Sequence, residues 1–118
     1  SVDLGRWLLA NLNGGAVGGR RLLSEASFQE MTTRQYDRFA GPINGGWLNG
    51  TTGYGLTWWV SDVDGERYIA HSGSVNGYTA FCAGNLERRT GVVILTNGNK
   101  AHRYLYEFAL KALAALGG

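Results

Sequence analysis

One cysteine, one proline, one methionine and two histidines are all that 118 residues hold of those types. The lone Cys82 cannot close an intramolecular disulfide, and its place inside an apolar strand marks it as a small buried hydrophobe. Two histidines with no third ligand at metal spacing give no reason to expect a metal centre. No apolar run approaches the roughly 20 residues of a membrane span, and the chain does not open on a signal-peptide pattern. Charge is equally sparse. Eleven Lys and Arg stand against nine Asp and Glu, a net charge of +2, and Arg20-Arg21 and Arg88-Arg89 are isolated pairs expected in water-facing turns. Nothing here resembles the basic stripe of a nucleic-acid binder. The length suits one domain, residues 1–118, with a real core. The opening at Ser1, inside a helix cap, suggests a piece excised from something longer.

What the chain does have is glycine, 19 residues of it, and a stretch from Ile69 to Asn97 that reads strand, turn, strand, turn, strand. I-A-H-S-G-S, G-Y-T-A-F-C-A-G and G-V-V-I-L-T-N are rich in β-branched and aromatic residues and bounded by Gly and Asn, which is a hairpin signature. These strands are apolar on both faces: Val93 and Leu95 point one way, Val92 and Ile94 the other. Such strands need cover above and below.

Around this stretch the spacing predicts helices. Leu4, Trp7, Leu8 and Leu12 form one stripe behind a Ser1 cap, with Asp3 favourable to the helix dipole; Asn13-Gly14-Gly15 stops that helix. Ala16 to Arg21 reads as a Gly-rich turn, and Leu22-Leu23 as a short buried anchor. Ser24 caps a short helix from Glu25 to Thr32 with Phe28 and Met31 inward. Residues 33 to 52 lose all periodicity, with Pro42 and Trp47 in a long loop. Tyr54 to Val60 reads as one strand, and Asp64-Gly65 as a hairpin turn. A last helix runs from about Lys100 to Leu116, with Leu105, Phe108, Ala109, Ala112, Leu113 and Leu116 repeating at three and four. The expected class is α+β: an antiparallel sheet of about four strands, N-terminal helices, and a long C-terminal helix packed on it.

Chemistry, if present, belongs at His71-Ser72-Gly73-Ser74. In an extended strand His71 and Ser72 point to opposite faces, so they do not form a nucleophile and base together. The backbone is the useful group. Gly73 lets a substrate approach the strand edge, and the Ser74 N–H can donate to an oxyanion. The alternative is a glycine-containing strand end with a half-buried histidine. His102, in the first turn of the last helix, reads as a solvent-facing or capping residue. Trp58-Trp59 and Tyr54 read as strand packing, and Asn76-Gly77 as a turn.

Y-G-L-T-W, H-S-G-S-V-N-G-Y-T-A-F and R-T-G-V-V-I-L-T-N, followed by an amphipathic helix, resemble the C-terminal part of the serine β-lactamase-like hydrolases: class C β-lactamases, penicillin-binding proteins and related esterases. The opening D-L-G-R-W-L-L-A-N-L-N-G-G and L-L-S-E-A-S-F-Q-E-M-T-T are similar to the helical stretch that precedes this strand in the family. The resemblance implies acyl transfer from an amide or ester to a serine, then hydrolysis, with no cofactor. By the family pattern His71 and Ser72 help hold a substrate carboxylate or the proton network. Gly73 completes the strand motif, the Ser74 N–H supplies one oxyanion donor, and Asn99 and His102 fall where some members contact substrate. Only the strand motif has a counterpart. Lys occurs at Lys100 and Lys111 alone, neither three positions after a Ser, and no Tyr begins Y-x-N or Y-x-S. The nucleophile and base of S-x-x-K are therefore missing, and the chain is expected to be inactive alone. Two readings remain: a substrate-binding segment that self-associates or joins a complementary N-terminal polypeptide, or a stand-alone scaffold that kept the sheet after losing catalysis.

Overall fold

In a computed structural model, residues 1–37, 51–99 and 101–117 are described. The elements follow in the order α1 (Val2–Leu12), β1 (Ala16–Val17), β2 (Arg20–Arg21), α2 (Glu25–Thr32), β3 (Thr51–Tyr54), β4 (Trp59–Val63), β5 (Glu66–Val75), β6 (Tyr78–Asn85), β7 (Thr90–Thr96) and α3 (His102–Gly117). The α+β class holds. Among the described residues the main sheet has five antiparallel strands in the order β3-β4-β5-β6-β7, one more than expected, and β1-β2 form a separate two-stranded ribbon. The extra strand arises because Tyr54 to Val60 is not one strand. Gly55 packs against the Met31 carbonyl, Leu56 donates to that same oxygen, and Thr57 sits at φ 72. The chain reverses there, so Tyr54 lies opposite Trp59 in the β3–β4 register.

Register in the centre of the sheet is set by two short turns. Asp64 and Gly65, both at positive φ, close β4 onto β5 with Val63 opposite Glu66; Asn76-Gly77 closes β5 onto β6 with Val75 opposite Tyr78. With both central residues at positive φ, the Asp64-Gly65 loop matches the twist of its flanking strands, whereas in the Asn76-Gly77 loop only Gly77 is at positive φ.

Each face of the sheet meets one helix. Ala70, Phe81 and Ala83, with the partly buried Val92 and Ile94, pack against Leu105, Ala109 and Leu113 of α3. Val60, Ile69 and Cys82 pack with Trp58 against Leu8 and Leu12 of α1. Cys82 is thus the buried hydrophobe its context suggests, and burial pushes its thiol up to about 11. The helical stripes are rotated from the expected ones. α1 buries Leu8, Asn11 and Leu12, while Trp7 is turned largely outward. The buried Asn11 is satisfied: its Nδ2 donates to the Trp7 carbonyl at 2.8 Å, and its Oδ1 accepts from Trp58 Nε1 at 3.2 Å. On α3 an (i, i+4, i+8) line faces the sheet, which leaves Phe108 and Leu116 exposed. Leu22 is exposed also, since the ribbon turns it away from the core; only Leu23 is partly covered. Ser24 caps α2 by accepting from the Ser27 N–H, as expected. Pro42 and Trp47 lie outside the described residues.

A polar clasp ties the sheet to the end of α3. Glu66 accepts from Arg88 Nε at 2.6 Å, Asn85 Nδ2 at 2.8 Å and the Tyr68 hydroxyl at 3.1 Å, and Arg88 also donates to the Gly117 carbonyl at 2.8 Å. Arg88 is therefore not a free turn residue. Its hydrogen bond holds the Glu66 carboxyl below the ordinary 4.5, as Arg67 holds Asp62 below 3.8. A carboxylate with a lowered folded pKa adds stability above its unfolded value and loses it as pH falls through the folded one. The urea midpoint should therefore drop as pH is taken from about 5 to about 2, and Glu66→Gln should flatten part of that slope. Gly55→Ala should destabilise the fold by roughly 1–3 kcal/mol through overpacking against backbone oxygens, read from the same midpoint at neutral pH.

Candidate functional site

β5 is ten residues long and β4 is five. Their register runs from Val63 opposite Glu66 to Trp59 opposite Ala70, so β5 continues past β4 for the five residues His71 to Val75. Over that overrun β5 is paired only with β6 among the described strands: His71 opposite Cys82, Ser72 opposite Phe81, Gly73 opposite Ala80, Ser74 opposite Thr79. Antiparallel partners alternate between pairs that exchange N–H···O bonds and pairs that do not. The tight turn makes Val75–Tyr78 a bonded pair, so Gly73–Ala80 and His71–Cys82 are bonded and Ser74–Thr79 and Ser72–Phe81 are not. Counting from the other turn agrees, since Glu66, Tyr68 and Ala70 then bond to β4. The N–H groups of Ser72 and Ser74 consequently point to the edge that β4 leaves at Trp59.

The side chains meet a group of aromatic rings. Trp59 stacks on His71 with centroids 5.1 Å apart and planes 24° apart. The Tyr54 hydroxyl lies 3.2 Å from His71 Nε2. Trp59 also meets Tyr106 edge-on at 6.5 Å, and the Tyr106 hydroxyl donates to Ser72 Oγ at 3.4 Å. His71 and Ser72 do not touch each other, in line with strand alternation, but both are tied to the same rings. Spacing does not signal this grouping: Trp59 and Tyr54 read as packing, and the joint position of these two with Tyr106 depends on the reversal at Gly55–Trp58 and on how α3 lies across the sheet.

Gly73 is exposed, and a Cβ built on it would meet nothing within 4 Å. Packing does not require a glycine there. Asn99 Oδ1 accepts from the Gly77 N–H at 2.7 Å, pinning the β5–β6 turn. That bond joins the turn to the segment between β7 and α3, and a second one, from the Thr79 hydroxyl to the Gly98 carbonyl at 2.8 Å, reinforces it. His102 opens α3, and its side chain lies outside the described residues.

A groove of about 410 Å³ runs beside the overrun, lined by Gly73, Ser74, Val75, Tyr78, Ala80 and Leu95 among others. A larger cavity, about 640 Å³, lies at the other end of the strands, between α2 and the β4–β5 and β6–β7 turns. Two of its charged residues, Arg67 and Asp62, are bonded to each other at 2.7 Å, which makes it a cleft braced by an ion pair and remote from His71. Among the described residues no three His, Cys, Asp or Glu side chains cluster as metal ligands, and no helix is long and apolar enough to cross a membrane.

The Beta-lactamase family model matches residues 1–116. The chain belongs to that family. Among solved structures it is similar to the octameric penicillin-binding protein homologue from Pyrococcus abyssi, with 24% identity and a TM-score of 0.74; the likeness covers 97% of this chain and 24% of that one. The chain thus spans about a quarter of the length of that relative, and the likeness concerns the fold. No curated protein sequence matches the chain. His71-Ser72-Gly73 stands on a strand whose edge beyond Trp59 is unpaired among the described strands.

Because Gly73 has open space and its neighbours are strand, Gly73→Ala should raise stability by about 0.5 kcal/mol, the ordinary gain over glycine in a strand. Asn99→Ala should instead lower it by about 1 kcal/mol through the lost hydrogen bond. Urea midpoints of the two variants check both signs.

Proposed function

We propose that this chain is the substrate-facing C-terminal part of a serine β-lactamase-like hydrolase, contributing a strand edge to an acyl-transfer site whose nucleophile and base lie outside these 118 residues. The observation that carries this reading is the overrun of β5, which turns the Ser72 and Ser74 N–H groups to an edge beside His71 that is unpaired among the described strands. In acyl transfer a serine oxygen attacks the carbonyl carbon, and the carbonyl oxygen takes the negative charge. Backbone N–H groups aimed at that oxygen stabilise it without reorganisation. The Ser74 N–H is the donor for this role. His71 and Ser72 then hold the rest of the substrate, a small amide or ester, and the exposed Gly73 admits it to the strand. Asn99 acts indirectly, by fixing the turn that follows Ser74.

A donor without a nucleophile has nothing to stabilise. The isolated chain should therefore hydrolyse neither a chromogenic cephalosporin nor a nitrophenyl ester above background. A burst followed by a stable acyl adduct on any of its serines would overturn this reading.

A second reading, a scaffold without catalysis, draws on the cover that α1 and α3 give to the two sheet faces. Oligomeric state separates the two. Tyr104, Phe108 and Leu116 are exposed along α3, and Val75, Tyr78 and Leu95 at the sheet end. Each such side chain buried on association contributes roughly 1.5–3 kcal/mol, and the related penicillin-binding protein homologue is octameric. Light scattering at micromolar concentration should find self-association, or association with a complementary N-terminal polypeptide of the family. A monodisperse 12.8 kDa species that binds no such polypeptide would favour the scaffold.

A further inference from the structure

Two residues directly opposite each other in the β3–β4 register, Tyr54 and Trp59, converge on one imidazole. Trp59 is buried, with 4% of its surface exposed, and is itself held by Phe81 at 6.4 Å and Tyr106 at 6.5 Å. Its stack on His71 therefore fixes the plane of the imidazole against a rigid wall. Stacking alone leaves the ring free to turn over by 180° and leaves its proton free to sit on either nitrogen. The Tyr54 hydroxyl acts on both freedoms, since it lies 3.2 Å from Nε2 while its ring meets the imidazole edge-on at 6.3 Å. The contact has two possible directions, set by the tautomer, and the phenol O–H is the better donor of the two groups, which favours Nε2 as the acceptor. In a neutral imidazole one nitrogen accepts and the other carries the proton, and the bond made by one fixes the state of the other.

We infer that Tyr54 is a positioning residue for His71, holding its imidazole as the Nδ1–H tautomer with the ring plane set by Trp59. The Nε2 lone pair is then engaged within the protein, and His71 offers a substrate a hydrogen-bond donor at Nδ1 in place of a base at Nε2. This assignment rests on the reading that His71 faces a substrate, but its test needs neither substrate nor turnover. Acyl transfer can fail with His71 held as described, and the reverse can also occur.

Long-range 1H–15N correlation spectra of the 118-residue chain, taken at a pH where the histidines are neutral, report the proton's position on each ring, and His102→Gln assigns the two sets of signals. The expected result is a pyrrole-type Nδ1 and a pyridine-type Nε2 for His71, with its ring protons displaced upfield by the Trp59 stack. Tyr54→Phe keeps the ring and removes the hydroxyl. It should move the two His71 nitrogens toward the averaged shifts of a free imidazole while leaving those of His102 in place. A wild-type His71 with its proton on Nε2 overturns the inference without any variant, so it stays falsifiable even if Tyr54→Phe does not fold. Unchanged His71 nitrogens in a folded Tyr54→Phe would overturn it equally.

Discussion

Everything at the candidate site depends on β5 being twice as long as the strand beside it. A strand in mid-sheet spends its N–H and C=O groups on both neighbours. β5 does so only from Glu66 to Ala70; from His71 onward half of its backbone groups face away from β6. An unpaired backbone donor is costly to bury, so that edge has to meet water, a ligand or other polypeptide. Which groups face it follows from two turns. Asp64-Gly65 and Asn76-Gly77 each fix a bonded pair, the two counts agree, and a slip of one residue at either turn would send the Ser74 N–H back into the ladder and expose that of Gly73 instead.

The rest of the fold holds that geometry in place. α1 and α3 cover opposite faces, and the two clusters they form meet in β5 and β6, where Ile69 and Cys82 face one helix and Ala70, Phe81 and Ala83 the other. At one end of the sheet the Glu66 carboxylate gathers Arg88, Asn85 and Tyr68 and reaches the last turn of α3 through Arg88. At the other end Asn99 and Thr79 tie the β5–β6 turn to the segment leading into α3. The polar bonds lie at the ends and the apolar contacts in the middle, so the overrun extends from a braced sheet.

Signals in the sequence are legible where the physics is local. The Ser24 cap, the Asp64-Gly65 turn, the Asn13-Gly14-Gly15 stop and the three strands of the Ile69–Asn97 stretch depend on residues within a few positions of one another. Rotation of the helices did not follow from spacing, because both Trp7 and Phe108 fit an apolar stripe and only the sheet's position decides that they stay outside. The break at Gly55–Trp58 was hidden for a similar reason. Alternating aromatics read as one strand, and the contact that turns the chain, with the Met31 carbonyl, comes from a residue more than twenty positions earlier. That hidden break brings Tyr54 and Trp59 to His71. The motif was legible, and its surroundings were not. The bond from the Gly77 N–H to Asn99 Oδ1 was not legible either, because it joins residues 22 positions apart.

The backbone of the overrun is divided residue by residue between ladder and free edge, and native-state amide hydrogen exchange measures this division. In the chain alone His71, Gly73 and Val75 should exchange slowly and Ser72 and Ser74 fast. Protection of the Ser74 amide equal to that of Gly73 would contradict it, since no donor would then face the edge where an oxyanion has to lie.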